Sequence, residues 1–335
     1  MAARTSRFFD GTFWKALLFI ALIILFVVFV SHQKVELTNL VATMASVNPV
    51  LLLMGLGITA VGVLFQGAFY RASFRIIGKR LPLFEAIRLY LMRYFLSTFI
   101  PAGFTVSQFT FANELEGHRI NRAESHLASA FYLITGAVSY LFVLVPAMAM
   151  LMVSGDLSRA EWYAGWIVTV LTLLVVFLFT QLLRRRGIIF FIAKHWIPDL
   201  PQLLHTLEED KIDRTHVFQT FWFSLSTNLI NIALLALVLA TLHLPFSLSV
   251  ALVGYAIMQL VLICSPIFQG VGLVEISLVY VLNRLGINNE TAIAATLLYR
   301  LFQLWIPFIV GGLLVWRHRV HPRIQEVVST TFPIL

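Results

Sequence analysis

An all-α, polytopic membrane protein is the fold class this sequence predicts, and three observations carry the prediction. The composition is the first: of 335 residues 59% are hydrophobic and only 12% charged, with mean hydropathy +0.88, whereas soluble domains carry roughly 25% charged residues. The second is the length of the apolar runs. Phe13–Val30 holds a single charge, Lys15, and Tyr163–Leu183 holds none, and about 20 such residues cross roughly 30 Å of hydrocarbon. The third is where the basic residues lie. The net charge of +8 is carried beside the apolar runs, as membrane topology requires, and not on an aromatic-basic face of the kind that binds nucleic acid. Cys264 is the sole cysteine, so an internal disulfide and a multi-cysteine metal site are excluded. No metal and no cofactor are expected.

Taken in order, six stretches predict full crossings: about 13–30, 48–70, 126–152, 163–183, 217–242 and 291–316. The first follows Arg4 and Arg7 and could be a signal peptide. Its apolar core is too long for one, and the only small-residue site, near Ala45, lies far beyond the core, so an uncleaved helix is expected. Two further stretches are apolar but interrupted. One runs from Leu81 to about Glu114 and breaks at Ile100-Pro101-Ala102-Gly103; the other runs from Leu244 to about Leu285 and breaks between Ser265 and Gly272, with Pro266, Gly270 and Gly272 inside. Proline removes a backbone donor and clashes with the preceding turn, and glycine tolerates the conformations that follow. Each broken stretch is expected to form a re-entrant helical hairpin, the alternative being a kinked but continuous crossing. Between the halves, 184–215 is a cytoplasmic linker, basic at Arg184-Arg185-Arg186 and acidic at Glu208-Glu209-Asp210; its apolar middle is expected on the membrane surface.

Charge decides between hairpin and crossing. With a cytoplasmic N-terminus and two hairpins, 18 of the 24 Lys and Arg residues fall inside, three outside (Lys34, Arg159, Arg284) and three within the membrane. Making the first broken stretch a full crossing moves the basic linker outside; making only the second one cross moves Arg317, Arg319 and Arg323 out, against the positive-inside rule. Both termini are therefore expected in the cytoplasm. The two hairpins then enter from opposite faces, yet their sequences are alike. Leu81-Pro82 opens one and Leu244-Pro245 the other, and at an offset of 167 Ala128 matches Ala295 and Tyr132 matches Tyr299. Such units, about 81–152 and 244–316, read as the inverted repeat of transporters, whose sites lie at broken helices near the midplane. The whole chain is expected to be a single transmembrane domain, 1–335.

Ionisable residues at membrane depth are candidate functional residues because each is costly unless paired or wetted. Arg93 precedes the first break, Glu275 follows the second, and Arg300 lies about ten residues into the last crossing. The planar fork of arginine suits phosphate, and Glu275 could pair with either arginine or receive a cationic substrate group. Arg300 and Glu275 are expected to line one water-accessible cavity. Gln108 and Gln269 are polar near the breaks and complete the substrate-binding set. Glu85 and Arg88, three apart, are expected to pair with each other. Gly55, Gly57 and Gly62 are expected to serve close helix packing. No Walker-type phosphate loop and no nucleophile elbow occur, and His318 with His321 reads as solvated tail rather than metal site.

The stretch from Ser265 to Glu275, with Ala292–Arg300 and Gly311-Gly312, resembles the signature P-x-x-G-G-L-G-x-x-E … A … L-x-x-R … G-G. That signature belongs to the transmembrane (flippase) domain of the lysylphosphatidylglycerol synthase, or multiple peptide resistance factor, family. Phe95–Gly103 resembles the family's F-x-x-x-x-x-P-x-G segment. Matching positions are Pro101, Gly103, Pro266, Gly270, Gly272, Glu275 and Arg300. Gln269 stands where a glycine is common, and Phe104-Thr105-Val106 where a Gly-Glu pair is frequent. The resemblance implies a flippase of the bacterial inner membrane that moves aminoacyl-phosphatidylglycerol, or a related phospholipid, to the outer leaflet, giving resistance to cationic antimicrobial peptides. It also implies an alternative, the transmembrane part or partner of a phosphatidylglycerol lysyltransferase. The longest cytoplasmic loop, about 33 residues, is too short for the soluble aminoacyl-transferase domain of two-part synthases, so the chain itself is not expected to be an enzyme; it would be a stand-alone relative or a fragment. The partners expected are a membrane phospholipid, then an aminoacyl-transferase chain and a second copy of this chain.

Overall fold

Residues 49–97, 115, 120, 122–184, 214–242, 244, 247–264 and 270–317 are described by the computed structural model. They form α1 (Pro49–Ile76), α2 (Leu83–Ser97), α3 (Arg122–Ser154), α4 (Arg159–Leu183), α5 (Arg214–Thr241), α6 (Leu248–Cys264), α7 (Leu273–Arg284) and α8 (Asn289–Arg300), which continues through a π-helical turn (Leu301–Trp305) into α9 (Ile306–Arg317). No strand occurs among the described residues. Five helical stretches are long and apolar enough to cross a membrane: α1, α3 from Glu124, α4, α5, and the run Asn289–Arg317. Each corresponds to one expected crossing. The expected first crossing, 13–30, the return half of the first broken stretch and most of the 184–215 linker lie outside the described residues.

The helix ends follow from local chemistry. α1 outlasts its predicted crossing by six residues and stops where Gly78 takes φ +73, with Lys79 N–H donating to the Phe74 carbonyl and Gly78 N–H to that of Arg75. This turn satisfies carbonyls that the helix end would otherwise leave unpaired. α4 starts at Ser158, whose hydroxyl accepts from the Glu161 N–H while the Glu161 carboxylate accepts from the Ser158 N–H. That reciprocal pair caps two orphan donors.

In the second broken stretch α6 and α7 run antiparallel. Gly254 in α6 faces Leu278 and Leu282, and near the bend Gly270 lies against Leu262 and Val274. At 1.5 Å per residue, α6 spans only about 25 Å and α7 about 18 Å. Both are packed into the core with α3, α5 and α8, where Leu144, Leu235, Ala256, Met258, Leu278 and Tyr299 are buried. With lipid outside there is no hydrophobic drive between helices, so small residues and hydrogen bonds bring them together. A buried polar chain does so here. The Tyr255 hydroxyl donates to Asn228 Oδ1 (2.8 Å), Asn228 Nδ2 to Ser139 Oγ (3.2 Å), Ser139 to the Gly136 carbonyl, and Ser139 and Ser224 share a 2.5 Å contact. It ties α6 to α5 and α3 with each of these groups satisfied. α4, by contrast, is peripheral. Its buried residues are Gly165, Val168 and Thr172, and Trp162, Tyr163 and Trp166 stand exposed at its start, as in an interfacial aromatic belt. Arg284 at the end of α7 holds that start through Glu161 (2.7 Å).

The three glycines of α1 divide. A Cβ on Gly55 would press on the Phe302 ring and one on Gly62 would touch Ile230, whereas Gly57 has nothing within 4 Å. Gly57 faces outward, and its expected packing role is corrected accordingly. A tighter approach occurs at Gly311, where a Cβ would collide with the Leu91 carbonyl oxygen, and at Gly312, against the Phe95 ring. These two glycines let α9 lie directly on α2.

Candidate functional site

The break after α6 sets the geometry. Gly270 (φ +67) and Gly272 (φ +91) both lie in the left-handed half of φ space, which a residue with a Cβ enters only at a cost. This turn presents the first N–H groups of α7, and Glu275 folds back so that Oε2 accepts from the Gly272 N–H at 2.6 Å. The other oxygen, Oε1, accepts from Arg300 Nε at 2.6 Å. Both partners are buried, Arg300 at 1% and Glu275 at 8% exposure. In this conformation they form a closed, direct pair and not the two charges on a wetted wall that the sequence suggested. Glu275 pairs with Arg300, not Arg93.

Arg300 sits at the last position of α8, immediately before the π turn. Its Nη1 donates to Gln303 Oε1 at 3.2 Å. A π turn widens the helix by one residue and loosens its regular hydrogen-bond ladder; here the Tyr94 hydroxyl, from α2, donates to the Gln303 carbonyl at 3.1 Å. Thus α2 of the first broken stretch touches the turn that holds Arg300. Arg300 Nη2 has no hydrogen-bond partner, nor do the buried Thr296 Oγ1 and Tyr299 hydroxyl on the same helix.

Arg93 has a different environment. It is 3% exposed, and its guanidinium lies 4.3 Å from the centroid of the Tyr70 ring and 5.3 Å from that of Tyr132. Phe69 stacks on Tyr132 at 4.1 Å, and the Tyr132 hydroxyl donates to Gln66 Oε1 at 3.0 Å. The ring faces attract the cation, but Nε and Nη1 make no hydrogen bond and no carboxylate among the described residues forms an ion pair with it. Glu85 and Arg88 do pair, at 3.2 Å, as their spacing predicted.

Of the expected set, the structure thus joins Glu275 to Arg300 at the Gly270–Gly272 turn and places Arg93 apart, among aromatics. Pro101, Gly103, Gln108, Pro266 and Gln269 lie outside the described residues, as do His318 and His321. Sequence reasoning missed Tyr70, Tyr94 and Gln303. Gln303 was detectable as a lone amide one turn after Arg300 in an apolar run; nothing in the sequence marks Tyr94. Among the described residues no group of three or more His, Cys, Asp or Glu could hold a metal.

Residues 14–311 match the family model described as "Lysylphosphatidylglycerol synthase TM region". A comparison with curated proteins finds no match.

Proposed function

The chain belongs to the lysylphosphatidylglycerol synthase transmembrane-region family, and from that premise we propose that it translocates a phospholipid, phosphatidylglycerol or an aminoacyl derivative of it, from the inner to the outer leaflet of a bacterial inner membrane. The observation that carries this reading is Arg93: a guanidinium buried among aromatic rings, with two unpartnered nitrogens. An unpaired charge at membrane depth costs several kcal/mol by some scales and marks a ligand or ion path. A phosphate diester is the ligand whose geometry suits it. In the proposed topology there are six full crossings with both termini cytoplasmic, and the broken stretches 81–114 and 244–285 are re-entrant hairpins related as an inverted repeat. The antiparallel packing of α6 on α7, with Gly254 facing Leu278 and Leu282 and Gly270 lying against Leu262, supports the second hairpin. Outward movement of a cationic lipid would account for resistance to cationic antimicrobial peptides.

The family's description favours one other reading, a transmembrane partner of a phosphatidylglycerol lysyltransferase. Proteoliposomes separate the two. The purified chain should move fluorescent phosphatidylglycerol, or its lysyl ester, between leaflets faster than protein-free vesicles, and Arg93→Gln should abolish the difference. No movement by the chain alone, together with co-purification of an aminoacyl-transferase, would replace the translocator with the partner.

A further inference from the structure

The end of α1 gathers Arg71, Arg75, Lys79 and Arg80. Two carboxylates described at this end are already engaged, Glu124 with Lys79 at 3.0 Å and Glu85 with Arg88 at 3.2 Å. Arg71 and Arg75 belong to neither pair, and the charges of Arg71 and Arg80 both bear on Arg75. Like charges one helical turn apart repel. Membrane topology asks for a basic helix end, but exposed arginines in water would serve it. Arg71 is instead half-buried, and its Nε is shut from solvent without a hydrogen-bond partner. The helix explains why. Gly67, Tyr70, Arg71 and Phe74 follow the i, i+3, i+4, i+7 spacing of one face, and at Gly67 that face meets α2, where a Cβ would collide with the Ile87 side chain. Arg71 therefore lies on the seam of α1 with α2, one turn nearer the basic end than Gly67. Arg75 follows about 6 Å further on by axial rise.

From this placement we propose that Arg71 and Arg75 form a docking site, separate from Arg93, for the phosphate of a phospholipid in the leaflet at this end of α1, the one proposed as cytoplasmic. A phosphate oxygen gives the Arg71 Nε the acceptor it lacks, and the guanidinium fork suits a second oxygen beside it. Its negative charge also relieves the repulsion among the arginines. The phosphate is the part that phosphatidylglycerol and its aminoacyl derivatives share, so the site serves either. Depth favours a lipid over a soluble macromolecule. Arg71 stands five residues before the end of α1, about 7.5 Å by axial rise, where a headgroup arrives sideways through the leaflet and a folded protein or an RNA does not reach. Phe84, 74% exposed in the first turn of α2, gives the same end apolar surface that suits acyl chains and not water. Arg71 directly follows Tyr70, whose ring lies on Arg93, so a phosphate docked here stands on the approach to that residue. The site goes beyond the translocator reading and does not depend on it: it would admit lipid to a translocator or hold it for a transferase.

Binding to the full chain in neutral detergent tests this without requiring transport. The chain would be titrated with short-chain phosphatidylglycerol, with the matching diacylglycerol, which lacks the phosphate, and with inorganic phosphate, which lacks the chains. Native mass spectrometry and thermal shift follow the titrations. Phosphatidylglycerol should bind at least about tenfold more tightly than either, the scale of one charge-assisted contact. Arg71→Gln and Arg75→Gln should each weaken it by a similar factor, Arg71→Lys should keep the charge but not the Nε donor and so recover part, and Arg184→Gln, at an exposed arginine elsewhere, should change nothing. A folded double variant, Arg71→Gln with Arg75→Gln, that binds as the wild type does overturns the site. Loss of the same binding in Arg93→Gln overturns its separateness. The wild-type chain supplies a reading even if the variants fail to fold: phosphatidylglycerol should protect Arg71 and Arg75, and not Arg184, from phenylglyoxal, read by peptide mass spectrometry. Unchanged reaction of both arginines overturns the proposal, and equal protection by inorganic phosphate overturns the lipid as ligand. Phosphatidylglycerol that docks here but is not moved across vesicles would remove the translocator reading and leave this site intact.

Discussion

Glu275 uses both carboxylate oxygens, one to close the first turn of α7 and one to hold Arg300, so a single side chain couples the hairpin's turn to the last long helix. Breaking such a buried pair from one side is costly, because the remaining charge loses its partner, whereas replacing both members with apolar groups is often neutral. Glu275→Gln alone should therefore lower stability by about 3–5 kcal/mol, and the double variant Glu275→Gln with Arg300→Met should recover most of that, measured as melting temperatures of the purified chains. A double variant no more stable than the single one would show that Arg300 is held chiefly by Gln303 and its helix. The same chains assayed for lipid movement separate clasp from site: retained flipping in the double variant makes the pair structural, and lost flipping with recovered stability makes it part of the path. Both residues were legible in the sequence, Glu275 as a charge three residues after a break and Arg300 as a charge within the last crossing. Their partnership was not, because Arg93, on the helix before the first break, was an equally open partner for Glu275, and only the packing of α7 on α8 decides between the two arginines.

The helices show the same division between what pattern reveals and what packing decides. Five crossings were readable to within a few residues at most ends, since an apolar run of sufficient length has one way to satisfy its backbone in lipid. The π turn after Arg300 was not readable, because apart from Gln303 the segment Leu301–Trp305 is apolar like the helix around it, and a lone amide does not mark a change of helical hydrogen bonding. Glycines were legible as small residues but not by role. Gly57→Ala should be neutral or stabilising by up to about 1 kcal/mol through helix propensity, since nothing lies near it. Gly311→Ala should cost about 1–3 kcal/mol, because the atom it meets is backbone, the carbonyl oxygen of Leu91. Equal melting temperatures for the two variants would mean that α9 does not lie on α2 as described. Gly270→Leu adds strain of about 1–2 kcal/mol from its φ of +67 to a clash with the Val274 side chain at 2.5 Å. It should still insert and fold, and it should lose lipid movement; full movement would reduce the turn to a packing device.

For the molecule as a whole, the proposed inverted arrangement demands that the two broken stretches open toward opposite faces, and this is the consequence most open to direct test. α3 begins at Arg122 and α8 at Asn289, the two helices that carry the matched pairs Ala128 with Ala295 and Tyr132 with Tyr299, all four of them buried. If the halves are related by inversion, these two helix starts lie on opposite sides of the membrane. Basic residues argue for the same assignment: Arg71, Arg75, Lys79 and Arg80 cluster at the α1 end that precedes the first broken stretch, and Lys79 reaches Glu124 near the start of α3 at 3.0 Å, which puts those two ends on one face. Asn288 instead caps α8 by accepting from the Thr291 N–H, in a turn whose basic residue is Arg284. In a background without Cys264, which is exposed and would label, single cysteines at Arg122 and Asn289 should react with an impermeant maleimide from opposite sides of right-side-out and inverted vesicles. The cysteine at 289 should react in intact cells and that at 122 only after the membrane is opened. Labelling of both from one side would require the second broken stretch to cross fully, which places the C-terminal arginines outside, or the 184–215 linker if the first stretch crosses as well, and would leave the resemblance between the two halves without a structural cause.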